Sequence, residues 1–174
     1  AALTADQVSK LTTSQVAVVT STNVGALNSD QVSVLSTAQL STLGTGQVKS
    51  ITTSAVAAMT TTQVAALSTT QVAALTTVQM AALTANEVKT FSTTQVQALG
   101  STQINALTNA NVSALTTGQV AALTTGQVNA LTTSAVSALG TAQVQALSTG
   151  QVQAITTTNV TALSTTQVAA LTTG

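Results

Sequence analysis

The chain has 174 residues, of which 44% are hydrophobic and only 3% are charged, three Lys balancing three acidic residues. Ordinary soluble domains contain about 25% charged residues, and a nucleic-acid-binding surface needs clustered basic side chains, so we expect no nucleic-acid partner. The absence of Cys and His excludes disulfide, thiolate and imidazole chemistry. No apolar run approaches the roughly 20 residues of a membrane-spanning helix, and we expect no transmembrane segment.

An eight-residue repeat begins at Leu3 and continues without insertion or deletion to the end of the sequence. Positions one to eight of this octad read Leu, Thr, Thr, any residue, Gln, Val, any residue and Ala, as in residues 115–122. The 174 residues hold about 22 octads. A constant register over so many repeats is typical of a solenoid or a fibre. We therefore predict one continuous tract over residues 1–174 with no internal domain boundary.

Position two predicts where each helix begins. It holds only Thr, Ser, Asn or Gly, from Thr4 to Thr172, and these are the favoured N-cap residues. Three residues later, position five is Gln in 15 of 21 octads and Glu in one, Glu87. Thr or Ser followed by Gln or Glu at this spacing is a capping box, in which each side chain bonds the other residue's backbone N–H. The octads thus predict an all-α superhelix of about 21–22 short capped helices, one per octad.

Such short helices are unstable alone, because helix nucleation is unfavourable. Stability must come from stacking, with Leu, Val and Ala inward and with Thr, Ser and the variable positions outward. Most octads lack a C-terminal Gly, so the last helical carbonyls need other donors, and we expect Thr hydroxyls at positions two and three to supply them. Besides capping, Gln could form an amide ladder between coils, since its side chain carries both donors and an acceptor.

Two β-structures compete with the helical prediction. A β-solenoid with 16-residue coils, two octads each, is the main alternative, because Thr and Val favour strands. Leu and Val are five and then three residues apart, which breaks the alternation that a strand requires. A cross-β fibre is a third possibility for a chain with little charge and no Pro.

No group of residues predicts a catalytic, metal-binding or cofactor-binding site. Glu87 and Lys89 are the closest acid–base neighbours, but residues two apart do not share a helix face. Asp6 and Asp30 stand at position four, in the first turn of their predicted helices, where the helix dipole favours an anion. We predict that the protein is not an enzyme, has no catalytic, metal or cofactor residue, and takes no small-molecule ligand.

Rows of Thr and Ser are expected on the surface. The simpler interpretation is that they cap helices and keep an uncharged surface soluble; the alternative is a binding module whose Thr array recognises ice or glycan. A flat array on one face would favour binding, and hydroxyls spread around the rod would favour a structural role. Asn111-Val112-Ser113 and Asn159-Val160-Thr161 match the N-glycan acceptor pattern, which a Thr-rich chain contains by chance.

The phrases LTTGQVAAL at 115–123 and LSTTQVAAL at 67–75 resemble tandem octapeptide tracts in very large repetitive proteins of Gram-negative bacteria. Such proteins often carry adhesin-like, haem-utilisation or calcium-binding labels. The resemblance implies an extracellular or cell-surface protein in which the tract is a stalk, spacer or filament. The start without Met and the end in mid-octad at Gly174 suggest a piece of something longer. Haem binding lacks support, because Met59 and Met80 would be the only axial ligands and both stand at core positions.

The first hypothesis is therefore a non-catalytic structural segment of an exported bacterial protein, which associates with its own copies end to end or laterally. The second is a binding module that presents Thr to ice or glycan.

Overall fold

The computed structural model describes residues 3–171, which form short α-helices and contain no β-strand. These residues fall into two compact units, unit 1 ending at Leu83 and unit 2 beginning at Thr84. The helices of unit 1 are α1 (Ala5–Ser9), α2 (Thr13–Ala17), α3 (Ser21–Gly25), α4 (Ser29–Ser33), α5 (Thr37–Ser41), α6 (Thr45–Ser50), α7 (Thr53–Ala57), α8 (Thr61–Ala65), α9 (Thr69–Ala74) and α10 (Thr77–Ala82).

Unit 2 continues the same pattern of one helix per octad. Its helices are α11 (Ala85–Lys89), α12 (Thr93–Ala98), α13 (Ser101–Asn105), α14 (Asn109–Ala114), α15 (Thr117–Ala122), α16 (Thr125–Ala130), α17 (Thr133–Ala138), α18 (Thr141–Gln145), α19 (Thr149–Gln153), α20 (Thr157–Val160) and α21 (Thr165–Leu171). The prediction of an all-α repeat with one short helix per octad is confirmed. The alternatives of a β-solenoid with 16-residue coils and of a cross-β fibre are wrong for residues 3–171.

Each helix begins directly after position two, because the residue there is a favourable N-cap. In α8, Thr60 has extended backbone angles (φ −76°, ψ 156°), and its hydroxyl accepts the N–H of Gln63 at 3.2 Å. The Gln63 side chain reaches back and accepts the Thr60 N–H at 2.7 Å. The capping box predicted from the sequence is therefore present, and the helix proper starts at position three, one residue after its cap.

Each helix ends at a corner made of two extended residues, at positions one and two. After α9, Leu75 (φ −57°, ψ 135°) and Thr76 (φ −74°, ψ 162°) redirect the chain before α10 begins. No residue of the described part of the chain has a positive φ, so these corners avoid the left-handed conformation that favours Gly. This explains why most octads can end a helix without a Gly.

In unit 1 each helix packs on the third helix after it, so that one turn of the solenoid contains three octads, or 24 residues. The stacked helices form three columns. The first holds α1, α4, α7 and α10; the second holds α2, α5 and α8; the third holds α3, α6 and α9. A six-residue helix thus gains its stability from the turns above and below it, as the weak intrinsic stability of short helices requires.

Unit 2 repeats this arrangement. Here α11, α14, α17 and α20 stack in one column, α12, α15, α18 and α21 in a second, and α13, α16 and α19 in a third. The prediction from the sequence of a single continuous tract over residues 1–174 stays a prediction.

The core of each unit consists of positions six and one. Val64 and Val72 are fully buried, and Leu67 is 5% exposed. Met59, Met80 and Phe91 replace Leu or Val and are buried in the same way, as predicted. Ala at position eight differs from the prediction, because it is mostly half-buried rather than inside. Position eight lies at the C-terminal end of the helix, beside the corner, where the next turn covers it only in part.

Candidate functional site: the glutamine row

The side chain of Gln63 bonds in two directions. Its Oε1 accepts the N–H of the cap residue of its own helix, and its Nε2 donates to carbonyls of the preceding turn. The acceptors are Val32 O at 3.0 Å, Ser33 O at 3.1 Å and Leu35 O at 2.7 Å. Gln63 is 4% exposed, so these bonds form where water cannot replace them.

The same two-way bonding recurs along both units. In every case the Nε2 donates, at 2.6–2.8 Å, to the position-one carbonyl 28 residues earlier. The donors in unit 1 are Gln39, Gln47, Gln63, Gln71 and Gln79, and those in unit 2 are Gln119, Gln127, Gln143, Gln151 and Gln167. Gln31 also donates to Leu3 O. The glutamine row is thus both a set of caps and an amide ladder, as the sequence suggested.

This second bond supplies the donor that the helix ends lack. Leu35 O lies in the corner between α4 and α5, and within residues 3–171 no backbone N–H bonds to it. The sequence prediction assigned such carbonyls to Thr hydroxyls at positions two and three, and this prediction is wrong. The position-two hydroxyls accept N–H groups at the helix start, while the Gln amide of the next turn reaches the carbonyls because it is long enough to cross between turns.

Natural replacements at position five separate the two roles. Ala135 keeps only its backbone bond, donating its N–H to the Thr132 hydroxyl at 3.1 Å. Asn159 keeps the bond between turns, from Nδ2 to Leu131 O at 2.6 Å, but forms no capping box, whereas Asn111 does cap Thr108. Single octads therefore tolerate the loss of one role or of both.

Comparison with known proteins places this architecture in a family. The ALTTAQ repeat matches residues 40–77, 50–85, 73–109, 106–133, 120–157 and 136–173. The chain belongs to the ALTTAQ repeat family. No curated protein and no solved structure matches it.

The position-five side chains of the first three ALTTAQ octads differ from the later ones in exposure. Gln7 and Gln15 form capping boxes with Thr4 and Thr12, but both side chains are exposed, as is Asn23. Their amide nitrogens donate to no carbonyl among residues 3–171. From Gln31 onward every position-five side chain within residues 3–171 is buried, including Ala55 and Ala135.

The hydroxyl rows of the ALTTAQ octads lie on all three columns. In unit 1, position three is exposed at Thr53 in the first column, Thr61 in the second and Thr69 in the third. Position two is occupied in capping, as at Thr60. The hydroxyls are thus distributed over three sides of the unit rather than gathered on one.

The two N-glycan acceptor patterns are closed to a glycan-transferring enzyme in this fold. Asn111 is 1% exposed and Asn159 is 3% exposed, because both occupy position five. The Oδ1 of Asn111 accepts the N–H of Thr108 at 3.1 Å. The burial of both Asn side chains agrees with the interpretation that these matches occur by chance in a Thr-rich chain.

The charged residues lie where the octad pattern places them. Asp6 and Asp30 are in the first turns of α1 and α4, and Asp6 forms an exposed ion pair with Lys10 at 2.7 Å. Glu87 replaces the capping Gln: its carboxylate accepts the Thr84 N–H at 2.6 Å, and it is buried. Within residues 3–171 there is no group of three or more acidic, His or Cys residues that could hold a metal ion.

The described helices are all short, and none of those within residues 3–171 has the length and apolar character needed to span a bilayer.

Proposed function

We propose that this ALTTAQ tract is a non-catalytic structural segment, a stalk, spacer or filament-forming region of an exported bacterial protein. The observation that carries the proposal is the glutamine row. It ties each turn to the preceding one by buried hydrogen bonds that recur every eight residues, in both units. Hydrogen bonds that recur so regularly between turns are suited to a segment that keeps a fixed length and stiffness.

The remaining features support the same role. In the described part of the chain, every buried side-chain nitrogen or oxygen has a hydrogen-bond partner, so no buried polar group stands ready for a ligand. Adding one 24-residue turn lengthens such a solenoid by about 8–10 Å, the usual distance between packed helices. Length is therefore set by the number of octads.

Single-molecule pulling on the full chain tests the mechanical role. We expect the chain to resist and then lengthen in steps, each releasing one turn of 24 residues, or about 80 Å of extended chain. The Gln71→Ala variant removes the two bonds from Gln71 to the preceding turn and should lower the force of one step. A chain that lengthens smoothly from the lowest forces, as a disordered linker does, would contradict the proposal.

Export is tested separately in the bacterium that makes the protein. An antibody raised against the octads should label intact cells or the culture medium without permeabilisation. Labelling only after permeabilisation would refute the extracellular location and leave the mechanical role standing.

The fold does not support the alternative function, in which a Thr array recognises ice or glycan. Position-three hydroxyls lie on all three columns, as at Thr53, Thr61 and Thr69, which favours the structural role over one binding face. A thermal-hysteresis measurement on the full chain should therefore show none, and glycan arrays should show no binding.

The proposal also includes association between copies of the chain. Such association would run end to end or side by side between copies.

A further inference from the structure

We infer that unit 2 is weakest along one of its three edges and that its turns part there first, at the corner beside Ala135. Where the tract yields under load is a property of the proposed spacer, and to that extent the inference rests on the proposed function. The opening of turns at this corner does not require a load and can be measured without one.

The corners of unit 2 stack in three edges, just as its helices stack in three columns. Along an edge, the position-five side chain that follows one corner reaches the corner of the preceding turn. Gln143, for example, follows the corner before α18 and donates to Leu115 O, in the corner before α15, at 2.7 Å. The residue at position five therefore determines how firmly two successive corners of an edge are joined.

Departures from Gln in unit 2 all fall on one edge. Position five holds Glu87 in α11, Asn111 in α14, Ala135 in α17 and Asn159 in α20, and these four helices form one column. The other two columns hold only Gln at position five: Gln95, Gln103, Gln119, Gln127, Gln143, Gln151 and Gln167. The octad recurs every eight residues, whereas these departures recur every 24, which is one turn. We call the corners that lead into α11, α14, α17 and α20 the weak edge.

The join beside Ala135 lacks every bond that a Gln side chain would make. Ala135 is 2% exposed, and its methyl group neither caps nor donates. Within residues 3–171 no donor reaches the carbonyl of Leu107, 28 residues earlier, and the N–H of Thr132 has no acceptor. Backbone groups left unpaired in the interior cost free energy. Parting of the two corners gives both groups access to water, so it relieves this cost.

The next join of the weak edge is bonded only in part. Asn159 Nδ2 donates to Leu131 O at 2.6 Å, and the Thr133 hydroxyl donates to Asn159 Oδ1 at 3.3 Å, but Asn159 forms no capping box. Asn129 adds an exposed bond from its Nδ2 to Ala154 O at 3.2 Å. An exposed bond contributes little, because water competes for both groups.

The other end of α17 is held more firmly. At the corner into which α17 leads, Gln167 Nε2 donates to Leu139 O at 2.7 Å. The Ser137 hydroxyl adds a bond to Ala162 O at 3.0 Å. Since α17 is bonded to its neighbouring turns at its C-terminal end and lacks the position-five bonds at its N-terminal end, the turns part first at the weak edge.

Hydrogen exchange on the full chain, followed by mass spectrometry of fragments that each cover one octad, tests the inference, because it reports local opening. Two octads give a matched comparison. The N–H of Val136 in α17 and that of Val128 in α16 each donate to a position-two carbonyl at 3.0 Å, and both residues are 1% exposed. A Gln contributes a cap bond and about two bonds between turns, each worth about a factor of five. We therefore expect the Val136 octad to exchange about 100-fold faster than the Val128 octad.

Three variants locate the cause. Ala135→Gln should slow exchange of the Val136 octad by about 100-fold and leave the Val128 octad unchanged. Gln127→Ala removes three bonds between turns, at 2.7–3.4 Å, and should speed exchange of the Val128 octad by a similar factor. Ala121→Gln is the control, because Ala121 is exposed at position seven and the same change adds no buried bond there. Both octads should exchange in this control as in the wild type.

Equal exchange of the two octads in the wild type, or an Ala135→Gln variant that exchanges as fast as the wild type, would overturn the inference. Ala135→Gln adds bonds and removes none, so it decides the matter even if Gln127→Ala fails to fold. A chain whose three edges are equally firm could still lengthen in steps when pulled. A chain that lengthens smoothly would refute the spacer role, whatever the exchange at Ala135.

Discussion

Changing Gln71 to Glu tests the two-way bonding of the glutamine row with one atom. The substitution keeps Oε1, which accepts the Ser68 N–H at 2.9 Å, and replaces Nε2 by a second oxygen. That oxygen would face Leu40 O and Leu43 O, to which Nε2 now donates at 2.8 Å each. The cap therefore survives, while the bonds to the preceding turn are replaced by repulsion between oxygens.

The expected loss is large because Gln71 is 3% exposed. Two lost hydrogen bonds contribute about 2 kcal/mol, and burying a carboxylate without a donor adds at least about 2 kcal/mol more. We expect the free energy of unfolding to fall by about 4 kcal/mol at pH 7. The penalty should shrink as the pH falls towards about 4, the pKa of the unfolded carboxyl, because burial favours the protonated carboxyl, which can again donate to one carbonyl.

Gln15→Glu is the matched control. Gln15 has the same capping box, with Thr12 N donating to Oε1 at 2.8 Å, but it is exposed, and its Nε2 donates to no carbonyl among residues 3–171. A carboxylate near a helix N-terminus is mildly favourable, so this variant should match the wild type within about 0.5 kcal/mol. Urea denaturation followed by far-UV circular dichroism gives both values. Equal losses in the two variants would refute the reasoning, because they would show that only the cap matters.

Three further changes test the caps, the close contacts and the buried acid by the same denaturation assay. The free energy of unfolding should fall by about 1 kcal/mol in Thr60→Ala, because the hydroxyl that accepts the N–H of Gln63 is removed. In Thr60→Gly it should fall by only about a few tenths of a kcal/mol. Equal losses in the two variants would argue against capping. The free energy of unfolding should fall by about 1 kcal/mol in Gly25→Ala, since a Cβ there would lie 3.0 Å from the Ser50 carbonyl oxygen. In Gly118→Ala the nearest neighbouring atom would be 3.9 Å from the new Cβ, and the free energy of unfolding should rise by about 0.5–1 kcal/mol because the unfolded chain loses freedom. The reverse order of stability would contradict the packing. The free energy of unfolding should rise by about 1–2 kcal/mol at pH 7 in Glu87→Gln, because the amide keeps the cap and removes a buried carboxylate. A less stable variant would show that the carboxylate has a role of its own.

Local structure was predictable from the sequence because local bonds determine it. Thr60 and Gln63 are three residues apart, and their reciprocal bonds depend only on the chain between them. The same holds for the burial of Val64 and Leu67, which share a face by helical geometry.

The number of octads per turn was not predictable. It depends on the angle at each corner, where Leu75 and Thr76 are extended, and a repeat of period eight carries no signal of period 24. The acceptors of the Gln amides were not predictable for the same reason, since Gln63 and Leu35 are 28 residues apart and meet only because of the number of octads per turn. Without the number of octads per turn, no distant donor could be assigned to the carbonyls at the helix ends. The sequence prediction therefore assigned nearby Thr hydroxyls to them.

The packing of each helix on the third helix after it makes every octad interchangeable with its neighbours. If one octad is gained or lost, each later helix moves to the next column and meets the same kind of partner. A change of one residue, by contrast, would break the 28-residue spacing between Gln and its acceptor carbonyl in the turn that spans the change. Misaligned recombination within the coding sequence, in steps of eight codons, therefore preserves the fold. Such a tract can therefore vary in length while each variant still folds, and selection can adjust its length without new sequence.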